Sequence, residues 1–159
     1  MTTFIATPIP LHIVEDARAR LAAGDVRVAR VIADAKPSYP CRVCLKDADI
    51  GEPKLLFSYR PFDEEGPYAE SGAVLAHERS CEPAHLAPGE VPEVTTVRTH
   101  CVVRTYDSRG WIHDGVLTET RDAAAVIIAS FEDPDVAYAH VRNVGYGCFA
   151  YAVKRVPAD

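Results

Sequence analysis

The chain has 159 residues, enough for one domain with an ordinary core. Apolar residues make up 48% and charged residues 25%, a balance that excludes disorder and a helical membrane protein. The formal charge of −6 argues against a nucleic-acid partner, because neutralising phosphates takes a basic surface.

No stretch approaches the roughly 18 unbroken apolar residues of a spanning helix. The opening "MTTFIATPIPLHIVEDARAR" has no basic start and no long apolar run, so no secretory leader is expected and the cytoplasm is the expected compartment. Phe4 to Ile9 reads as a short strand stopped by proline. Apolar residues at Ile13, Val14, Ala17, Leu21, Val28, Val31 and Ile32 have helical spacing, broken at Gly24-Asp25, which predicts two short helices between Leu11 and Asp34. Leu55 to Tyr59 and Ala73 to His77 flank the turn-rich "RPFDEEGPYAESG" and read as a long-looped hairpin. "CEPAHLAPGEVPEV" is a proline-punctuated connector with room for one helical turn. Val97 to Tyr106 and Trp111 to Thr118 read as strands around "DSRG". Arg121 to Phe131 reads as a helix capped by Thr118 or Thr120 and stopped at Asp133-Pro134. Val136 to Val144 and Cys148 to Val156 form a hairpin through "NVGYG". The expected architecture is α+β: a single domain over residues 1–159, a mainly antiparallel sheet with helices on one face, and a long-looped hairpin inserted around residues 41–81. The carboxy-terminal hairpin is expected in the interior of the sheet, because its well-filled strands suit burial on both faces.

Five cysteines in a reducing compartment point to free thiols or metal ligands before disulfides. Cys41-x-x-Cys44 has the spacing of a zinc knuckle, and His77-x-x-x-Cys81 offers the second pair of a four-ligand Zn2+ site once the hairpin folds back. A redox pair is a second reading of Cys41 and Cys44. It suits the surroundings poorly, since no strand leads directly into the pair and no helix starts on it. Buried thiols in a core, with a surface histidine, are the third.

The order of knuckle, hairpin and His/Cys pair resembles treble-clef zinc fingers, with a wider His–Cys gap here. That resemblance implies a structural zinc over residues 41–81. "YPCRVCLKDADIGEPKLLFSYRPF", "PYAESGAVLAHERSC" and "HVRNVGYGCFAYAVKR" together resemble a bacterial family known only as domain of unknown function 1203. The resemblance implies no activity. It runs from about residue 35 to the end, and its recurring positions fall here on residues such as Cys41, Arg42, His140, Asn143 and Cys148.

Two further constellations are candidates for chemistry. Strand alternation puts His140 and Arg142 on one face and Arg98, His100 and Arg104 on another. Together with Arg42 these would make a cationic cleft for a carboxylate or phosphate, against the plainer reading of a solvated sheet face. Cys148, His140 and Asn143 offer a thiol, a base and an amide in the pattern of a nucleophile site, although Gly145 and Gly147 are explained by a turn alone. The expected function is therefore a zinc-stapled binding or interaction domain whose partner is a small anion or another protein. The alternative is an enzyme or anion sensor built on Cys41, Arg42, His140, Asn143 and Cys148.

Overall fold

In the computed structural model, which describes residues 2–156, the strands pair into two antiparallel sheets. The larger sheet has the order β1 (Thr3–Thr7), β8 (Phe149–Val156), β7 (Tyr138–Asn143), β5 (His100–Tyr106) and β6 (Ile112–Glu119). The smaller has the order β2 (Val28–Ile32), β3 (Pro53–Tyr59) and β4 (Gly72–His77). Three short helices complete the fold: α1 (Leu11–Ala22), α2 (Glu93–Thr96) and α3 (Ala123–Ser130), the last entered through a 3-10 turn. Among the described residues no helix is long and apolar enough to cross a membrane.

All three expected hairpins form, at 53–77, 100–119 and 138–156. The last lies inside its sheet, with a neighbour on each side of β7 and of β8. Its sequence explains the position, since Ala139, His140, Val141 and Arg142 are buried in succession and both faces of β7 are covered.

Three expectations need correction. The second helix before Asp34 is instead β2. Gly24, at φ +78°, ends α1 in a conformation that glycine adopts freely, and the Asp25 carboxylate then accepts from the Arg27 amide in a tight turn. The β-branched run Val28-Ala-Arg-Val-Ile is left to pair along β3, and an available strand edge outweighs a weak helical period. The strand expected from Val97 begins at His100, because α2 and its closing turn take the preceding residues. Neither Thr118 nor Thr120 caps α3: the Thr120 hydroxyl donates to the Arg98 carbonyl and that of Thr118 to the Glu119 carbonyl.

The sheet itself is a further correction: the expected single sheet with helices on one face is instead two sheets, and the helices divide between them. α3 packs on β5 and β6, with Ile127 and Phe131 against Val103, Val141 and Tyr151. α1 packs on β2 and β3, where Val14 and Ala17 meet Leu55, Phe57 and Ala76. These two apolar clusters adjoin through β8, which sends Tyr151 into the first and Phe149 into the second.

Candidate metal centre

The knuckle is shaped by its backbone. The Cys41 amide donates to the Lys46 carbonyl at 2.8 Å, the Leu45 amide donates back to the Cys41 carbonyl at 3.0 Å, and Leu45 takes φ +55° to close the reversal. Both cysteine side chains therefore leave the turn on one side. β4 delivers His77 at its last position, and Cys81 follows four residues later. One ligand atom from each of Cys41, Cys44, His77 and Cys81 lies within 4.8 Å of all the others.

Two of the distances within the cluster match those of a tetrahedral metal site. Zinc–sulfur bonds of about 2.3 Å at the tetrahedral angle set two sulfurs roughly 3.8 Å apart, and a sulfur and an imidazole nitrogen roughly 3.6 Å apart. Here Cys41 Sγ lies 3.7 Å from Cys81 Sγ, and Cys44 Sγ lies 3.7 Å from His77 Nδ1. All five cysteines are free thiols. Hydrogen bonds from Cys44 and Cys81 hold Cys41 far below the usual thiol range, and each of those donors is pushed up in turn.

The surroundings fit a metal as well as the four ligands do. The His77 amide donates to Cys41 Sγ at 3.4 Å, a contact that favours thiolate. With His77 Nδ1 toward the sulfurs, its Nε2 meets Glu52 Oε2 at 3.5 Å, the carboxylate–histidine pairing that fixes a metal-bound imidazole. Lys54, directly across from His77 in the β3–β4 register, is fully buried and its Nζ has no hydrogen-bond partner. Burial pushes its ammonium down, and the charges of Cys41, Cys44 and Cys81 pull it back up. A divalent cation held by three thiolates and a neutral imidazole would carry one negative charge, a partner suited to the buried ammonium.

A second feature lies between the sheets. The segment from Pro37 to Arg42, the outer face of β3 and β4, the turn after α2 and the β7–β8 turn enclose a cleft of roughly 1000 Å³. Arg42 sits in its wall, 2% exposed, with Nε donating to the Phe149 carbonyl and Nη1 to the Pro40 carbonyl. Burial lowers its pKa to about 10, so the guanidinium keeps its charge at neutral pH.

With the geometry established, the chain can be set beside known proteins. The family model described as "Protein of unknown function (DUF1203)" matches residues 38–155. The chain belongs to the DUF1203 family. No curated protein and no solved structure matches it.

The DUF1203 segment holds all four cluster residues and most of the cleft, and leaves β1, α1 and β2 outside. Knuckle, hairpin and His/Cys pair follow the treble-clef order, with one departure: no helix begins at Cys81, and the next one, α2, starts at Glu93. The four arginines do not share one face. Arg42 and Arg98 line the cleft, where Arg98 grips the buried Asp47 carboxylate through two nitrogens at 2.9 and 3.1 Å. Arg104 and Arg142 instead converge on Glu70, at 3.1 and 2.6 Å. Arg98 leaves the expected row because it lies in the turn before β5, where strand alternation does not apply.

Cys148 and Asn143 both line the cleft, whereas His140 does not. His140 is packed among Tyr106, Phe62 and Phe149 with ring centroids 4.8 to 5.0 Å away. Glu52, Lys54, Asp47 and Glu70 are the site residues that motif spacing did not single out. The one available signal was Lys54, a lone charge at the head of the otherwise apolar strand "PKLLF".

Proposed function

We propose that this DUF1203 protein is a binding domain stapled by one structural Zn2+, held by Cys41, Cys44, His77 and Cys81. The observation that carries the reading is the cluster itself: four ligand atoms from two segments of chain, all within 4.8 Å of one another, with two of the pairs at 3.7 Å. Three thiols and an imidazole suit zinc better than calcium or magnesium, which prefer oxygen. Four protein ligands make a closed site, whereas catalytic zinc keeps a position for water. The ion's work is then mechanical, fixing the knuckle to the end of β4. Such a site belongs in a reducing compartment, where thiolates are not lost to disulfides. Chemistry at the thiol is not part of this reading, since the candidate base His140 lies apart from the cleft that Cys148 lines.

Native mass spectrometry of untagged protein tests it. The expected result is one zinc per chain, released by a strong chelator. Cys44→Ser should lose most of the zinc and melt roughly 5–10 °C lower, the shift expected for a loss of a few kcal/mol in a domain of this size. A metal-free wild type that melts with the untreated protein would refute the staple.

A further inference from the structure

The cleft between the sheets has a charge and a shape that the zinc reading does not use. Arg42 is nearly fully buried, and its Nε and Nη1 are spent on main-chain carbonyls. Among the described residues Nη2 makes no hydrogen bond, and no carboxylate forms a salt bridge with this guanidinium. Its neighbour Arg98 is already matched by Asp47. Arg42 therefore brings to the cleft wall a positive charge with no salt-bridge partner, on a side chain 2% exposed and held by two hydrogen bonds. An uncompensated buried charge is costly, so a site that keeps one is built to receive the opposite charge.

Most of the remaining surface of the cleft is apolar, with Ser38, Thr99, His100 and Asn143 among its polar side chains. Leu56 and Leu75 come from the small sheet. Val97, Leu117, Val144 and Tyr146 come from the large sheet and its turns, and these four are 42 to 99% exposed. Single exposed apolar side chains are ordinary, but four gathered around one concavity mark a surface meant to be covered. A volume of this order suits a small organic ligand. A phosphate dianion would leave the apolar walls idle.

We propose that this cleft binds a monocarboxylate bearing an apolar tail, its head group on Arg42 and its tail along Leu56, Leu75 and Leu117. The guanidinium fork suits a planar carboxylate, and Asn143 adds an amide on the same wall. The proposal rests on the reading of the protein as a binding domain, and names what is bound.

Octanoate, kept below its micellar concentration, is the probe, titrated calorimetrically into the full zinc-loaded chain. One octanoate per chain is expected, at least tenfold tighter than octan-1-ol, octylammonium, acetate or inorganic phosphate. Leu117→Glu, at an exposed position, should weaken octanoate at least tenfold with an unchanged melting temperature. This variant carries the test because Arg42 is buried and its replacement would also disturb folding. Bound octanoate should also slow iodoacetamide alkylation of Cys148, mapped by peptide mass spectrometry. Octanol binding as tightly as octanoate, phosphate binding as tightly, or alkylation of Cys148 at the same rate with and without octanoate would each overturn the proposal. Zinc is measured on the same sample. Octanoate binding by zinc-free protein would remove the staple and keep the cleft, and one zinc per chain with no octanoate binding would do the reverse.

Discussion

His140 shows what burial does to a single side chain. It is 1% exposed, ringed by Tyr106, Tyr138, Phe62 and Phe149, and its Nδ1 has no hydrogen-bond partner. Burial, helped by the nearby charges of Arg142 and Arg104, lowers its pKa from 6.5 to about 3, with the Pro61 carbonyl acting weakly in the other direction. The folded protein therefore keeps the ring neutral, while the unfolded chain takes up a proton near pH 6.5. Between those two values the unfolded state binds more protons, so stability falls as pH falls. From pH 7 to pH 5 this one residue should cost about 2 kcal/mol. His140→Phe fits the same aromatic surroundings and has no proton to gain. Denaturant unfolding at both pH values should show a loss smaller in the variant by about that amount. Equal losses in the two proteins would mean that the imidazole is not held neutral in the folded state.

At the scale of elements, the β3–β4 connection behaves as a cover over the His140 face rather than as a free loop. Phe62 packs edge-on against Tyr106, Glu64 accepts from the Tyr138 hydroxyl at 3.1 Å, and Glu70 takes both Arg104 and Arg142. Glu70→Gln keeps the shape and removes the charge that holds two guanidiniums. Hydrogen exchange over residues 60–71 should quicken, with a loss of about 1 kcal/mol, since Glu70 is half exposed and water weakens the pairs. Unchanged exchange in this loop would show that Phe62 alone holds it. The hairpins on either side were legible in sequence because alternation and turn residues are local signals. β2 was not: Val28 and Val31 fit a helical period, and the strand that captures them lies more than twenty residues further on. The four residues of the cluster were legible because two short spacings carry them. Lys54 and Glu52 acquire meaning only when the register sets them beside His77, and the row of four arginines dissolved when one helical turn displaced Arg98 from β5.

For the molecule as a whole, zinc bound at the cluster would bear on the two sheets to different degrees. The five-stranded sheet owns the larger apolar cluster, with α3 on one face and the aromatic group around His140 on the other. The three-stranded sheet has α1 on one side and ends at β4, whose last residue is His77. Its attachment to the knuckle passes through the cluster and a few main-chain bonds, such as the Arg42 amide to the Leu75 carbonyl at 3.0 Å. An ion bound only by the folded state adds stability to the elements it joins, and its removal returns those elements to what packing alone supplies. Reduced protein stripped with a chelator should therefore lose amide protection first in β3, β4 and the 41–46 turn, while β5, β7 and β8 stay protected. Hydrogen exchange with mass spectrometry, with and without added zinc, reads this segment by segment. Zinc repletion should restore the small sheet without changing the large one. If protection instead falls evenly across both sheets, the domain unfolds as one unit and zinc holds all of it. If it falls nowhere, apolar packing already fixes the knuckle, and the buried Lys54 ammonium has to be explained by the thiolates alone.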